Sequence, residues 1–102
     1  EMIYAGTKIK ADRAYQLGLV NEVYPQEKLM PAALKLANKI AANAPIAVRA
    51  SKQALNKGLQ MNMDEAVVLE EQFFSSCFES YDQKEGMKAF LEKRKHEPFE
   101  NK

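Results

Sequence analysis

Three consecutive cations near the end of this sequence, Lys93, Arg94 and Lys95, are the residues whose types could do chemistry. They follow the stretch "DQKEGMKAFLE", and together the two predict a helix over residues 82–95. One interpretation is that the cations complement the helix dipole, each contributing about 0.3–1 kcal/mol. The other is a phosphate site, because lysine supplies a mobile point charge and arginine a planar fork of N–H donors. Periodicity leaves both interpretations open.

The other reactive side chains do not form a second site. Phe74 or Phe78 is placed to offer a flat apolar wall to a nucleotide base beside such a phosphate. His96 is the sole histidine and stands beside lysines, so we interpret it as a surface residue. Cys77, the sole cysteine, lies among phenylalanines on an apolar helical face, which favours a small core residue over a nucleophile. We predict no catalytic residue and no metal site in this chain.

The elements that must position these residues have helical patterns. Apolar residues at three-and-four spacing predict a helix over 27–43, with Pro31 in its first turn. Pro45 opens another helix with a stripe of small side chains that lets a neighbour approach closely. A short helix ends at Gly18, and residues 19–24 carry a weak strand signal. We therefore predict an all-α chain of about four to six helices with at most one short strand.

The last two predicted helices carry start signals. Asn62 and Asp82 are each followed three positions later by a glutamate, Glu65 and Glu85, which is typical of a capping box. The first of these helices has apolar residues on more than one face, so a single neighbour cannot cover them all. The second is predicted to end at Pro98 and to bury three apolar residues: Met87, Phe90 and Leu91.

Composition narrows the class of protein. Fifteen basic and fourteen acidic residues give a net charge of +1, which argues against a nucleic-acid or membrane-surface partner. No apolar run is long enough to cross a bilayer. A single cysteine favours a reducing compartment, so we expect a cytoplasmic location. The N-terminus has no signal-peptide pattern and no initiating Met, as expected of a fragment.

Essentially all of the chain resembles the C-terminal part of the crotonase family, the enoyl-CoA hydratase/isomerase superfamily. The stretches that carry the resemblance are "ADRAYQLGLVNEVYP", "LANKIAANAPIAVRASKQALN" and "FESYDQKEGMKAFLEKRKHEPFENK". The most specific motif is D-x-x-E-G-M-x-A-F-x-E-K-R, matched by Asp82, Glu85, Gly86, Met87, Ala89, Phe90, Glu92, Lys93 and Arg94. The short-chain enoyl-CoA hydratase or 3-hydroxybutyryl-CoA dehydratase branch is the most similar.

The resemblance implies a two-part parent protein with an α/β spiral fold. Its N-terminal domain would hold the oxyanion-hole amides and the catalytic glutamates, so this chain contains none and is expected to be inactive alone. Residues 1–25 would be a lead-in from that domain. Residues 26–102 would form the helical C-terminal region, which makes contacts in a trimer or a dimer of trimers.

The resemblance also implies site residues. Phe74 and Lys93 match the aromatic residue and the lysine that contact the nucleotide part of coenzyme A in this family, which makes Lys93 the phosphate contact. Coenzyme A would arrive as part of an acyl-CoA substrate, with no covalently bound cofactor. Arg94 and Lys95 remain open between ligand contact and helix-end electrostatics, and Gly86 suggests a tight helix crossing. Alternative functions are another superfamily activity, such as an isomerase or hydrolase, or a free-standing helical interaction domain.

Overall fold

A computed structural model describes all of residues 1–102 and contains six α-helices and no strand. The helices are α1 (Met2–Ala5), α2 (Ala11–Gln16), α3 (Gln26–Ala41), α4 (Pro45–Gly58), α5 (Met63–Cys77) and α6 (Tyr81–Leu91). The chain divides into two units, residues 1–36 and residues 37–102. The all-helical prediction is confirmed. The predicted boundary between 1–25 and 26–102 stays a prediction.

The N-terminal unit begins with two short helices that end at glycines. Gly18 has a φ of 72° and its N–H donates to the Tyr15 carbonyl at 3.0 Å, while the Leu19 N–H donates to the Ala14 carbonyl at 2.9 Å. These two bonds make a Schellman cap, as predicted. Residues 19–24 form no strand. A strand needs a partner for its ladder of hydrogen bonds, and no other segment of this chain pairs with it.

Helix α3 begins too early for Pro31 to lie in its first turn. The Pro25 carbonyl accepts the N–H groups of Lys28 at 2.9 Å and Leu29 at 3.1 Å, so the helix begins at Gln26. Pro31 therefore lies inside the helix, in its second turn, and its placement in the first turn was wrong. No residue of α3 is buried within this chain.

Helices α4 and α5 form the packed hairpin of the second unit. Pro45 occupies the first turn of α4, as predicted. Among the small residues of α4, Ala50 is buried, and a Cβ placed on Gly58 would lie 3.5 Å from the Ala66 Cβ of α5. Helix α5 has the predicted cap, because the Asn62 side chain accepts the Glu65 N–H at 3.0 Å.

The cap of α6 is Ser80 and not Asp82 as the sequence suggested. The Ser80 hydroxyl accepts the Gln83 N–H at 3.1 Å. Asp82 lies one residue inside the helix and is only 1% exposed. Its carboxylate accepts two backbone N–H groups from the end of the chain, those of Glu100 at 2.7 Å and Asn101 at 2.9 Å. The capping prediction failed because the carboxylate satisfies donors distant in sequence.

Residues 97–102, which we call the C-terminal segment, follow α6 without regular secondary structure. The Tyr81 N–H at the start of α6 donates to the carbonyl of Lys102 at 2.7 Å. From α4, the Arg49 guanidinium donates to the Asn101 side-chain oxygen at 2.5 Å. These contacts hold the C-terminal segment against α4 and the start of α6.

The side of α6 that this chain buries is largely polar. Its buried residues are Asp82, Glu85 and Ala89. The predicted buried face is instead open to solvent, with Met87, Phe90 and Leu91 exposed by 51%, 78% and 75%. That prediction is wrong for this chain because the C-terminal segment presents backbone N–H groups, which need carboxylate acceptors.

Gly86 faces the C-terminal segment and not another helix. A Cβ placed on it would lie 3.8 Å from the Phe99 Cε1 atom, an ordinary van der Waals distance. The tight helix crossing suggested for Gly86 is therefore not present in this chain.

Gly86→Ala should stabilise the chain. Alanine is favoured over glycine inside a helix by about 0.5–1 kcal/mol, and the structure leaves room for the methyl group. Thermal unfolding should show a raised Tm. Gly18→Ala is the matched control and should lower the Tm, because its φ of 72° disfavours a Cβ. A lower Tm for Gly86→Ala would contradict the open packing described above.

Asp82→Ala should destabilise the chain by about 2–4 kcal/mol, because two N–H groups lose a buried carboxylate acceptor. Urea unfolding followed by circular dichroism measures this loss. Asp82→Asn keeps one acceptor oxygen and should cost less than the alanine variant. Unchanged stability in Asp82→Ala would mean that the C-terminal segment does not depend on this carboxylate.

Candidate functional site

The candidate site is the turn that ends α6. The helix stops at Leu91, with Glu92 as its cap. The Lys93 N–H donates to the Phe90 carbonyl at 3.2 Å and the Arg94 N–H to the Ala89 carbonyl at 3.0 Å, which is a Schellman motif. The predicted end at Pro98 is wrong, because this motif turns the chain several residues earlier. The basic cluster thus lies just beyond the helix.

Lys93 occupies the left-handed position of this motif, with a φ of 53°. Glycine is the usual residue there, and a lysine costs about 1 kcal/mol more in backbone energy. The Lys93 side chain makes no hydrogen bond or ion pair within the chain. A strained backbone that presents an unpaired cation to solvent is suited to binding an external anion.

Arg94 is oriented differently, because its guanidinium folds back onto α6. Two of its nitrogens donate to the two Glu85 carboxylate oxygens, at 2.6 and 3.1 Å. Its Nε donates to Glu92 at 2.7 Å, and one terminal nitrogen also donates to the Lys95 carbonyl at 3.1 Å. The Arg94 fork is therefore engaged by groups of this chain. The hydrogen bonds that Arg94 donates to Glu85 and then to Glu92 raise its pKa above the ordinary value.

Glu85 is the central acceptor of this turn. It is 8% exposed and, besides Arg94, accepts the Glu97 N–H at 2.8 Å. The Arg94 hydrogen bond, followed by that from the Glu97 backbone, lowers the pKa of the Glu85 carboxyl from 4.5 to about 2. Glu85 is thus ionised at neutral pH, and a single carboxylate fixes both the turn and the start of the C-terminal segment.

His96 is half-buried and is not the surface residue that the sequence indicated. Its ring stacks on Phe99 with the centroids 4.1 Å apart, and its Nδ1–H donates to the Glu97 carbonyl at 2.7 Å. Because a carbonyl only accepts, Nδ1 carries the proton. His96 and Phe99 line an open cleft of about 640 Å³ together with Lys95 and residues near the start of α4. The histidine serves the packing of the chain end.

Phe74 projects from α5 and is 65% exposed. Its ring meets that of Phe78 edge-on, with the centroids 5.2 Å apart and an interplanar angle of 68°. This contact supports one edge of the Phe74 ring. Phe74 and Lys93 are thus both exposed and on different elements, and they form no cation–π pair with each other.

Cys77 is half-buried, and its Sγ–H donates to the Phe73 carbonyl one turn earlier at 3.3 Å. The thiol is thus only partly buried, whereas the sequence favoured a small core residue. The chain contains no group of three or more histidine, cysteine or acidic residues able to hold a metal ion. None of its helices combines the length and apolar character that a membrane span requires.

Comparison with known proteins identifies the family. The model of the enoyl-CoA hydratase/isomerase family matches residues 1–102. The chain belongs to this family. The resemblance first seen in the D-x-x-E-G-M motif is confirmed.

Individual relatives agree in sequence and in structure. The chain is 48% identical over 102 residues to a short-chain-enoyl-CoA hydratase of Clostridium acetobutylicum, covering all of the chain and 39% of that protein. It is 46% identical over 95 residues to a crotonyl-CoA hydratase of Syntrophomonas wolfei, covering 93% of the chain and 36% of that protein. The crystal structure of an enoyl-CoA hydratase from Bacillus anthracis superposes with a TM-score of 0.91 at 37% identity, covering 98% of the chain and 38% of that structure. The chain therefore spans less than two fifths of the length of each of these three relatives.

The sequence did not reveal the ion pair that organises the site. Glu85 and Arg94 are nine positions apart, farther than the three- or four-residue spacing by which helical pairs are recognised. They meet only because the Schellman motif reverses the chain. The signal that was available, an arginine just past a helix with an acidic residue two turns earlier, is too common to single out.

The ionisation of Glu85 should appear in the pH dependence of stability. Because its pKa is lowered from 4.5 to about 2, its stabilising effect is complete above 4.5 and disappears as the pH falls toward 2. At neutral pH, the Glu85→Gln variant should therefore unfold at a lower urea concentration than the unaltered 102-residue chain. The two midpoints should converge only as the pH falls through about 2. A constant difference between the midpoints from neutral to acid pH would contradict this role of the Glu85 charge.

Proposed function

We propose that this chain is the C-terminal helical region of an enzyme that hydrates 2-enoyl-CoA thioesters to 3-hydroxyacyl-CoA, in fatty-acid or butyrate metabolism. Membership of the enoyl-CoA hydratase/isomerase family and the names of the relatives support this reaction. Within the chain, Lys93 would contact a phosphate of coenzyme A and Phe74 the adenine ring. The observation that carries this assignment is the unpaired Lys93 side chain on a left-handed backbone position.

The two side chains have the chemistry that a nucleotide needs. A lysine ammonium binds phosphate as a point charge that adapts to the position of the ligand. An exposed phenylalanine ring, braced at one edge by Phe78, offers a flat apolar face to a purine. Arg94, in contrast, already has carboxylate partners and would have to break them to bind a phosphate.

The chemical step would belong to the remainder of the enzyme. Two backbone N–H groups would polarise the thioester carbonyl, so that negative charge developing in the transition state is stabilised. A pair of glutamates would manage the water and the proton added to the double bond. Residues 26–102 would contribute coenzyme A contacts and oligomer contacts, and residues 1–25 would lead in from the catalytic domain. Coenzyme A enters with the substrate and leaves with the product.

We also propose that the chain takes part in a homo-oligomer, a trimer or a dimer of trimers in the whole enzyme. Helix α5 leaves several large apolar side chains exposed: Val67, Val68, Phe74 and Phe78. Helix α6 adds the exposed residues Met87, Phe90 and Leu91. Apolar patches beyond a few hundred Å² usually mark surfaces covered by another domain or subunit.

The 102-residue chain should self-associate at micromolar concentration, because water-exposed apolar faces of α5 and α6 are covered by association. Light scattering coupled to gel filtration measures the mass. Val68→Ser combined with Phe78→Ser should shift the mass toward the monomer. A strictly monomeric mass for the unaltered chain would count against these faces as contact surfaces.

In the full-length protein, Lys93→Ala should raise the KM for a CoA thioester while kcat changes little. Loss of one charge-assisted phosphate contact costs about 1.5–3 kcal/mol, or roughly ten- to a hundredfold in affinity. The contact is shared by ground and transition states, so it affects KM and not kcat. Steady-state kinetics on crotonyl-CoA measures both constants.

Two controls separate this role from general electrostatics. Lys88→Ala removes an exposed lysine of α6 and should leave KM close to the unaltered value. A crotonyl-pantetheine thioester, which has no nucleotide, should be insensitive to Lys93→Ala. The phosphate assignment is wrong if Lys93→Ala impairs both thioesters equally.

A further inference from the structure

We infer that Arg94 and Glu85 form a clamp that positions Lys93 toward its phosphate, with no direct contact to the ligand. The inference rests on the function proposed above and adds two positioning residues to it. It starts from the geometry of the turn, in which the residue that presents the cation has an unfavourable backbone conformation that must be held by its neighbours.

The clamp spans both sides of Lys93. On the preceding side, the Arg94 Nε donates to the Glu92 carboxylate at 2.7 Å. On the following side, an Arg94 terminal nitrogen donates to the Lys95 carbonyl at 3.1 Å. The same guanidinium is anchored to α6 through the two-fold contact with Glu85. One side chain thereby ties the residues on either side of Lys93 to the helix.

Glu85 makes this anchor rigid. It is buried on α6 and holds a third donor, the Glu97 N–H at 2.8 Å, so its carboxylate has little freedom to rotate. The two Schellman bonds fix the path of the backbone, and the clamp opposes its relaxation out of the left-handed region. Without the clamp, residues 92–95 can move into lower-energy conformations in which the Lys93 ammonium points elsewhere.

The direction in which Glu85→Gln changes the KM distinguishes positioning of Lys93 from a direct electrostatic effect on the phosphate. Glu85 is negatively charged, so neutralising it removes a charge that repels a nearby phosphate. If only charge mattered, Glu85→Gln would leave the KM for a CoA thioester unchanged or lower it. If Glu85 positions Lys93 through Arg94, the same substitution raises the KM.

The test compares single and double variants of the full-length protein on crotonyl-CoA and crotonyl-pantetheine. Glu85→Gln and Arg94→Ala should each raise the KM for crotonyl-CoA on the order of threefold to tenfold. Neither increase should exceed the increase caused by Lys93→Ala. The KM for crotonyl-pantetheine and the kcat should stay near the unaltered values. In a Lys93→Ala background, Arg94→Ala should add little, because the residue that it positions is already lost.

Further variants guard against loss of folding. Glu92→Gln, at an exposed side chain, weakens only one arm of the clamp and should raise the KM less than Arg94→Ala. Arg94→Lys keeps the charge but cannot span Glu85 and Glu92 together, so it should not restore the KM. Circular dichroism melts establish that each variant is folded at the assay temperature.

The outcomes separate this inference from the proposed function. If Lys93→Ala raises the KM for crotonyl-CoA but Glu85→Gln does not, Lys93 binds the phosphate and the clamp is overturned. Full additivity of Lys93→Ala and Arg94→Ala, or rescue by Arg94→Lys, would make Arg94 an independent ligand and also overturn the clamp. If Lys93→Ala has no effect on KM, the proposed function of Lys93 and the clamp that rests on it both fail.

Discussion

Two carboxylates on one side of α6 organise the end of this chain. Asp82 accepts the N–H groups of Glu100 and Asn101, and Glu85 accepts that of Glu97 together with the Arg94 guanidinium. Burying a backbone N–H group without an acceptor costs free energy of folding. The C-terminal segment can therefore lie against α6 only where the helix offers hydrogen-bond acceptors. Three features lie beside these carboxylates. They are the turn at Lys93, the stacked rings of His96 and Phe99, and the cleft that these rings line with residues near the start of α4.

The same arrangement explains why α6 has two unlike faces. Its polar face is satisfied within the chain, whereas its apolar face meets solvent. Helix α6 buries its carboxylates against the C-terminal segment and leaves a phenylalanine and a leucine exposed. Its apolar surface is therefore available for contact with another domain or subunit. This division agrees with a chain that covers 39% of the length of its Clostridium acetobutylicum relative and matches its family along its whole extent.

At the candidate site, backbone strain and side-chain freedom are combined. Lys93 accepts a left-handed conformation that glycine adopts more easily, and its ammonium has no intrachain partner. Arg94, one residue later, differs because its guanidinium is engaged by two carboxylates. Neighbouring cations of equal charge therefore have different capacities: the lysine is free to meet a ligand and the arginine holds the turn.

Local features of this protein could be predicted from its sequence. The helical class, the glycine cap at Gly18, the first-turn position of Pro45 and the Asn62 cap depend on residues within a few positions of each other, and all were found. The motif that ends in Lys93 and Arg94 was specific enough to indicate the family. Local backbone preference and short-range hydrogen bonding decide such features, and both can be read along the chain.

Contacts between distant residues were decided only by the tertiary structure. Asp82 looked like a cap, but donors 18 and 19 positions away took its oxygens while Ser80 capped the helix. Met87, Phe90 and Leu91 looked like a core face, yet the C-terminal segment occupies the other side of α6. The sequence determined which helices form and where the basic cluster lies. The tertiary structure decided that Lys93 is unpaired while Arg94 is engaged, because the C-terminal segment returns along α6. The path of that segment depends on the summed contacts of the whole second unit.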